Sequence, residues 1–328
     1  MEKQCITGQN PVSIELSEVD DTPGPYAMSF GFDPGALCAS IQEIGLVCPP
    51  CIVKGAQGSV QIVTGYRRTL ALKRLGWSKV VCEEVSSLLP SPLERLLFAF
   101  HENLASRAFN PVEKAMILSR LDPLLPGKEI LKRFMPLLSL PSNEGTLNFY
   151  RGLGATTYDF RDAVARGLLS LNAARSLLDL ERESSECALQ CIVNLTLNFN
   201  QQIQFIDIMT DISEKEGRNW TRILEADPFR SLLENRHLNK PQKAKKLLEE
   251  LRTQRYPRLK KAEKRFKERL ERLSLPEGTR IDHPAYFEAP GYRLEVKFQD
   301  GENLMQKLQH LAQVSAVKEF RDPLDDDD

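Results

Sequence analysis

Residues 33 to 115 alternate short strand-like runs with helix-period segments, and that alternation restricts the first third of the chain to a mixed α/β layer. An amphipathic helix from Pro34 to Glu43 leads through Ile44-Gly45-Leu46 and Pro49-Pro50 into a strand over Cys51 to Lys54. A glycine turn and a second strand, Val60 to Val63, come next. A helix to Leu75, Gly76, a strand from Val80 to Val85 and a helix from Leu88 to Phe100 complete the series. Upstream, Val12-Ser13-Ile14-Glu15-Leu16 alternates as a half-buried strand does, and Asp21 to Pro25 reads as a linker.

Two short segments in this region carry chemistry. Thr64-Gly65-Tyr66-Arg67-Arg68 sets a glycine beside paired arginines just after a strand. Glycine admits close approach of a backbone or a phosphate, and two guanidinium forks can clamp phosphate oxygens. His101-Glu102-Asn103 ends an apolar helix, with Arg107 one turn later. Glu102 and Asn103 offer oxygen ligands to the Mg²⁺ that accompanies a nucleotide. Taken alone, the first segment also describes a turn before a solvated helix, and the second a helix end. His101 beside Glu102 has no nucleophile at a recognisable spacing, so an acid/base pair is the weaker account. Cys48-Pro49-Pro50-Cys51 has C-x-x-C spacing but no second such pair, which favours small apolar residues at a strand entry over zinc.

The order of these residues resembles the N-terminal domain of ParB-type chromosome and plasmid partition proteins. The matching positions are Ser40-Ile41, Gly45, Pro49, Gly65, Arg67-Arg68, Ala71, Leu75-Gly76, Glu102-Asn103, Arg107, Asn110-Pro111, Glu113 and Ala115, over roughly a quarter of the chain. The resemblance implies a ParB/sulfiredoxin-like fold and a CTP site with Mg²⁺ at Gly65, Arg67, Arg68, Glu102 and Asn103. It also implies a switch at Arg107, Asn110 and Glu113. Two positions depart from the family pattern: its usual acid in the Gly-x-Arg-Arg motif is Tyr66 here, and the Gln before the early proline is Cys48. Each removes a nucleotide-facing hydrogen bond, which bears on CTP recognition and still more on CTP hydrolysis. The arginine-bearing segment ahead of the first helix is replaced by Tyr26-Ala27-Met28-Ser29-Phe30.

Residues 112–235 read as mostly helical. Pro111 suits a first helical position, Lys128 to Met135 forms a short helix expected to break at Pro136, Pro141-Ser142-Asn143-Glu144 supplies cap residues for the next helix, and Thr157 and Ser170 can cap the two after it. The series resembles the central helix-turn-helix domain of the family, with Gly167, Leu169-Ser170, Ala174-Arg175 and Leu177-Leu178 as counterparts. Candidate DNA contacts are Asn143, Asn148, Arg151 and Arg175. In residues 236–328, a charged helix breaks at Pro257, and Tyr292 to Phe298 alternates as a half-buried strand. A helix with Leu304, Leu308 and Leu311 on one face follows Asp300. That strand-helix pair is too small to fold alone and should dock on the chain or on a second copy.

The whole is an α+β chain in three parts: 1–111, 112–235 and 236–328. Its net charge of −1 conceals segregation, because Lys240 to Arg272 holds fourteen Lys/Arg against five Glu, while Asp325 to Asp328 closes the chain. The basic stretch supports sequence-independent contact with DNA phosphates. Seven scattered cysteines read as reduced thiols. No apolar run approaches the ~20 residues that span a bilayer, and Met1 to Asn10 lacks a signal-peptide core, so a cytoplasmic, nucleoid-associated protein is expected. Double-stranded DNA is the expected partner; a homodimer and a ParA-type ATPase are implied by the resemblance alone. The rival expectations are a regulator with a degenerate nucleotide pocket and a ParB-like nuclease or ATP-using enzyme.

Overall fold

The computed structural model describes residues 10–55, 59–284 and 291–313. The acidic run Asp325 to Asp328 and the first nine residues lie outside that set. The chain divides into two compact units, 1–203 and 204–328, and the boundaries expected at 111/112 and 235/236 fall inside them.

The first unit opens with a four-stranded sheet in the order β1-β4-β2-β3. Strand β1 (Pro11–Glu15) runs antiparallel to β4 (Lys79–Glu84), with Ile14 opposite Val80. β4 lies parallel to β2 (Cys51–Lys54), which pairs antiparallel with β3 (Val60–Thr64) across an irregularity between Cys51 and Ile52. Helices α1 (Gly35–Ile44) and α2 (Tyr66–Arg74) bury one face each against this sheet, with Cys38, Ile41, Ala71 and Leu72 in a single cluster with Ile14, Ile52, Val80 and Cys82. Complete burial of an aliphatic side chain such as Ile52 or Leu72 contributes about 1.5–3 kcal/mol. The core therefore fixes the β3–α2 junction that carries the arginine pair.

Helix α3 (Pro92–Ser106) starts later and ends later than its apolar pattern indicated. Ser91 and Glu94 form a reciprocal capping box that sets the start. At the other end Asn103 donates its side-chain amide to the Ala99 carbonyl at 2.8 Å, so Glu102 and Asn103 are helical and not terminal. Arg107 is extended, and Asn110 with Glu113 forms a second capping box that starts α4 (Pro111–Leu121).

The expected break at Pro136 does not occur. Helical turns run from α5 (Gly127–Glu129) through a π-type stretch, Ile130–Phe134, into α6 (Met135–Leu137). The wide turn places Pro136 at the start of the next turn, where its missing N–H costs no bond. Helices α7 (Glu144–Gly154), α8 (Tyr158–Ala165) and α9 (Leu171–Leu178) begin at Asn143, Thr157 and Ser170, each cap side chain accepting from a backbone N–H. Helix α10 (Arg182–Asn194) follows. Buried Gln202 accepts from Ser170 N and donates to the Leu168 and Leu197 carbonyls.

The second unit takes in most of α11 (Phe199–Glu216), then α12 (Trp220–Glu225) and α13 (Phe229–Glu234), with Trp220 packed edge-on against Phe205. The basic stretch forms α14 (Lys240–Arg255) and α15 (Pro257–Arg272), separated at Tyr256 as the proline requires. The strand expected over Tyr292 to Phe298 is β6 (Arg293–Val296), paired antiparallel with β5 (Thr279–Asp282), which the sequence pattern had not flagged. It is unevenly covered: Leu294 is 51% exposed, while Val296 is half-buried and the adjoining Tyr292 stacks on Phe266. In the helix that follows, α16 (Gly301–Gln313), Leu308 is 44% exposed, so alternation alone did not secure a covering layer. Among the described residues no helix is long and apolar enough to cross a membrane.

Candidate functional site

The β3–α2 turn is built around Gly65. Its φ of +86° is left-handed, and a Cβ there would meet the Pro50 backbone at 2.9 Å, so two independent constraints require glycine. The turn delivers Arg67 and Arg68 on the first turn of α2, facing the end of α3. Six of the sequence candidates, Gly65, Arg67, Arg68, Glu102, Asn103 and Arg107, line one cavity of about 310 Å³.

Arg68 donates to the Cys48 carbonyl at 2.6 Å and to Glu102 Oε1 at 2.8 Å. Cys48 thus enters the site through its backbone, and Glu102, 38% exposed, keeps a face toward the cavity. Asn103 is more committed: besides its bond to Ala99, its Oδ1 accepts from Arg107 Nε at 3.0 Å. One lone pair on that oxygen remains for a metal ion, and Glu102 has carboxylate oxygen to offer. The donor set fits Mg²⁺, a hard cation that takes one or two protein oxygens and binds substrate phosphates as well.

Arg67 and Arg107 meet at Glu113. This carboxylate is 1% exposed and accepts from Arg67 Nη2 at 2.6 Å and Phe30 N at 3.2 Å through Oε1. Through Oε2 it accepts from Arg107 Nη1 at 2.7 Å and Asn110 N at 3.1 Å. Burial and the neighbouring Arg107 guanidinium pull Arg67 below the usual arginine range, and Glu113 opposes that shift. Arg67 also donates to Ser29 Oγ at 2.8 Å and lies 4.7 Å from the centre of the Phe32 ring. Arg107 donates to the Met28 carbonyl and sits 4.8 Å over Phe109. Asn110 and Glu113 therefore stand behind the cavity wall, tying α4 to the 28–30 segment; Asn110 Nδ2 reaches the Phe30 carbonyl at 2.9 Å.

Sequence reasoning missed Met28, Ser29 and Phe30, which it had noted only as a departure. They carry no local motif, and they reach the site through contacts across about 80 residues, such as Phe30 to Glu113. Tyr66 does not replace an acid in kind: its ring is buried and its hydroxyl donates to the Asp21 carbonyl. Cys48 is exposed and Cys51 buried, and among the described residues no group of three or more His, Cys, Asp or Glu can hold a metal.

The four residues singled out for DNA are mostly occupied within the chain. Asn143 caps α7 through its Oδ1, and Arg151 makes a two-pronged pair with Asp122 at 2.7 and 2.5 Å, bracing α7 on α4. Asn148 Oδ1 accepts from Arg151 at 3.2 Å, and Arg175 stacks 4.4 Å over Phe149. By contrast, Lys260, Lys261 and Lys264 on α15 are exposed.

An arginine pair on the first turn of α2 and an acid–amide pair within the last turns of α3 line one cavity, and short capped helices follow; in this the chain is similar to ParB-type proteins. Its curated relatives include the nucleoid occlusion protein of Geobacillus thermodenitrificans (strain NG80-2), 24% identical over 187 residues, which are 56% of this chain and 63% of that protein. The chain thus spans less than two thirds of that relative's length. No family model matches the sequence. Solved structures with some similarity include the C-terminally truncated ParB of Caulobacter crescentus in two complexes. With CTP-γ-S the identity is 18%, with 56% of this chain and 99% of that chain covered and a TM-score of 0.27. With the centromeric parS site the identity is 17%, the coverage 58% and 96%, and the TM-score 0.32. At such scores the overlays transfer no geometry to this chain.

Proposed function

We propose that this protein binds double-stranded DNA in partition or nucleoid organisation, and that a CTP-type nucleotide with Mg²⁺ controls its closure as a clamp. The observation that carries the nucleotide half is the convergence of Gly65, Arg67, Arg68, Glu102, Asn103 and Arg107 on one cavity. Bound there, Mg²⁺ would neutralise phosphate charge, held by Glu102 and Asn103.

The chain's own groups supply the switch. Arg67 and Arg107 already share a carboxylate, so phosphate oxygens entering the cavity compete with Glu113 for the same donors. Exchange of Glu113 for phosphate frees the start of α4 and the 28–30 segment together, because Asn110 and Phe30 hang on that carboxylate. Nucleotide drives closure to the extent that it binds the released form better than the locked one.

The exposed cations of α14 and α15 are the proposed phosphate contacts, with Asn148 as the candidate base contact in the helical part. The exposed Leu294, Phe298, Met305 and Leu308 in the second unit support homodimerisation. A ParA-type ATPase partner and CTP hydrolysis rest on the resemblance only.

A second reading, a DNA-binding regulator with a degenerate pocket, is favoured by the same Glu113, which fills the guanidinium sites without any nucleotide. Thermal denaturation with CTP, other nucleoside triphosphates and Mg²⁺, in parallel with DNA titrations, separates them. A nucleotide-specific rise in melting temperature with altered DNA binding supports the clamp. Duplex binding indifferent to every nucleotide supports the regulator.

A further inference from the structure

A second cavity, of about 950 Å³, lies on the far side of the 29–34 segment, between it and helices α4, α7 and α8. Leu70, Met116 and Phe30 give it apolar walls. Tyr158, 62% exposed, stands on its rim with its ring centre 5.4 Å from that of Phe30. Pockets of this size that are mainly apolar with a few placed polar groups are the usual form of small-molecule sites.

The charged groups around it are mostly accounted for. Arg120 donates to the Gly24 and Ala27 carbonyls, Arg166 pairs with Asp162 at 2.9 Å, and Asp33 accepts from Gly35 N at 3.1 Å. Arg161 is different. Its guanidinium lies 5.5 Å over the Phe30 ring, and its Nε is buried without an acceptor. That Nε is closed to a ligand, so an incoming oxygen would meet the outer guanidinium nitrogens, and a cation on an apolar wall without an anionic partner is costly.

We propose that this cavity binds a small organic acid with a planar aromatic body, its carboxylate on Arg161 and its ring against Phe30 and Tyr158. A guanidinium pairs a carboxylate through parallel charge-assisted bonds, and the aromatic side chains supply area for the ring. The site is separate from the nucleotide cavity, although Ser29 and Tyr66 line both.

The test is calorimetric titration of the full chain, without nucleotide or DNA, with indole-3-acetate, its neutral amide indole-3-acetamide, and inorganic phosphate. Saturable binding of indole-3-acetate is expected, and inorganic phosphate does not displace it. The amide binds roughly tenfold or more weakly, as does the acid to Arg161→Met, in line with loss of a hydrogen bond to a charged group. Arg161→Met keeps the stem over Phe30 and removes the unused donor, so the melting temperature of the unliganded variant stays level or rises. Tyr158→Ser, at an exposed position, weakens binding without touching the fold and serves if the first variant does not fold. Absence of saturable indole-3-acetate binding, equal binding of acid and amide, or undiminished binding by both variants overturns the proposal. A fall in the melting temperature of unliganded Arg161→Met overturns it as well, since Arg161 would then be holding the fold.

Discussion

Arg67 Nη2 lies 2.6 Å from Glu113 Oε1 across 46 residues of sequence, and this pair joins the first turn of α2 to the first turn of α4. Because Arg107 takes the other carboxylate oxygen at 2.7 Å, the arginine chosen as a phosphate ligand is also a structural partner. Recognition and fold share one group, and their effects have to be separated by choice of variant.

Glu113→Gln leaves two guanidinium groups facing a neutral amide in a buried setting. Removing one partner of a buried ion pair costs about 3–5 kcal/mol, and the retained amide oxygen places this change toward the lower end. Chemical denaturation should show the loss. If the nucleotide competes with Glu113, the melting-temperature rise produced by CTP with Mg²⁺ is larger in the variant than in the parent. Unchanged stability would refute the buried bridge.

Arg67→Ala removes one of the two guanidinium partners of buried Glu113 and lowers stability, so loss of nucleotide binding in that variant is not diagnostic. Arg68→Ala is the cleaner probe. Its carboxylate partner Glu102 is 38% exposed, and such a pair contributes about 1 kcal/mol or less. A folded Arg68→Ala protein that no longer responds to nucleotide supports the site; one that responds as the parent does removes Arg68 from it.

Gly65→Ala adds a Cβ where Pro50 stands at 2.9 Å and forces a left-handed φ on a residue that resists it. The backbone term alone is about 1–3 kcal/mol. A melting temperature equal to that of the parent would show that the turn relaxes freely.

Neutralising Lys260, Lys261 and Lys264 to Gln should weaken duplex binding evenly across sequences. The slope of log affinity against log salt falls by about one for each phosphate contact removed. A slope that does not move takes α15 out of the DNA interface.

Thiol labelling at pH 8 checks the packing around the sheet. Cys48 is exposed and reacts quickly. Burial raises the Cys51 thiol and pushes Cys82 up to about 12, so both stay protonated and shielded until the unit opens. Rapid modification of Cys82 in the native protein would contradict the core described here.

Every strand but β5, the glycine turn and most helix starts were legible from local chemistry. Asn143, Thr157 and Ser170 each cap a helix expected there, because capping and turn formation act over a few neighbouring residues. Candidate residues on α2 and α3 also reach a common cavity, as their order along the chain implied. What local pattern could not decide is which partner each charge takes. Arg151 looked available for DNA and is spent on Asp122, and Glu113, expected only as part of a switch, is the hub of two arginines. The alternating run in β6 is only partly covered, with Leu294 51% exposed although the adjoining Tyr292 stacks on Phe266. Caps and turns depend on short-range hydrogen bonds that the sequence by itself specifies. Ion pairs and burial depend on distant segments brought together by the packed core, and so only the tertiary structure decided them.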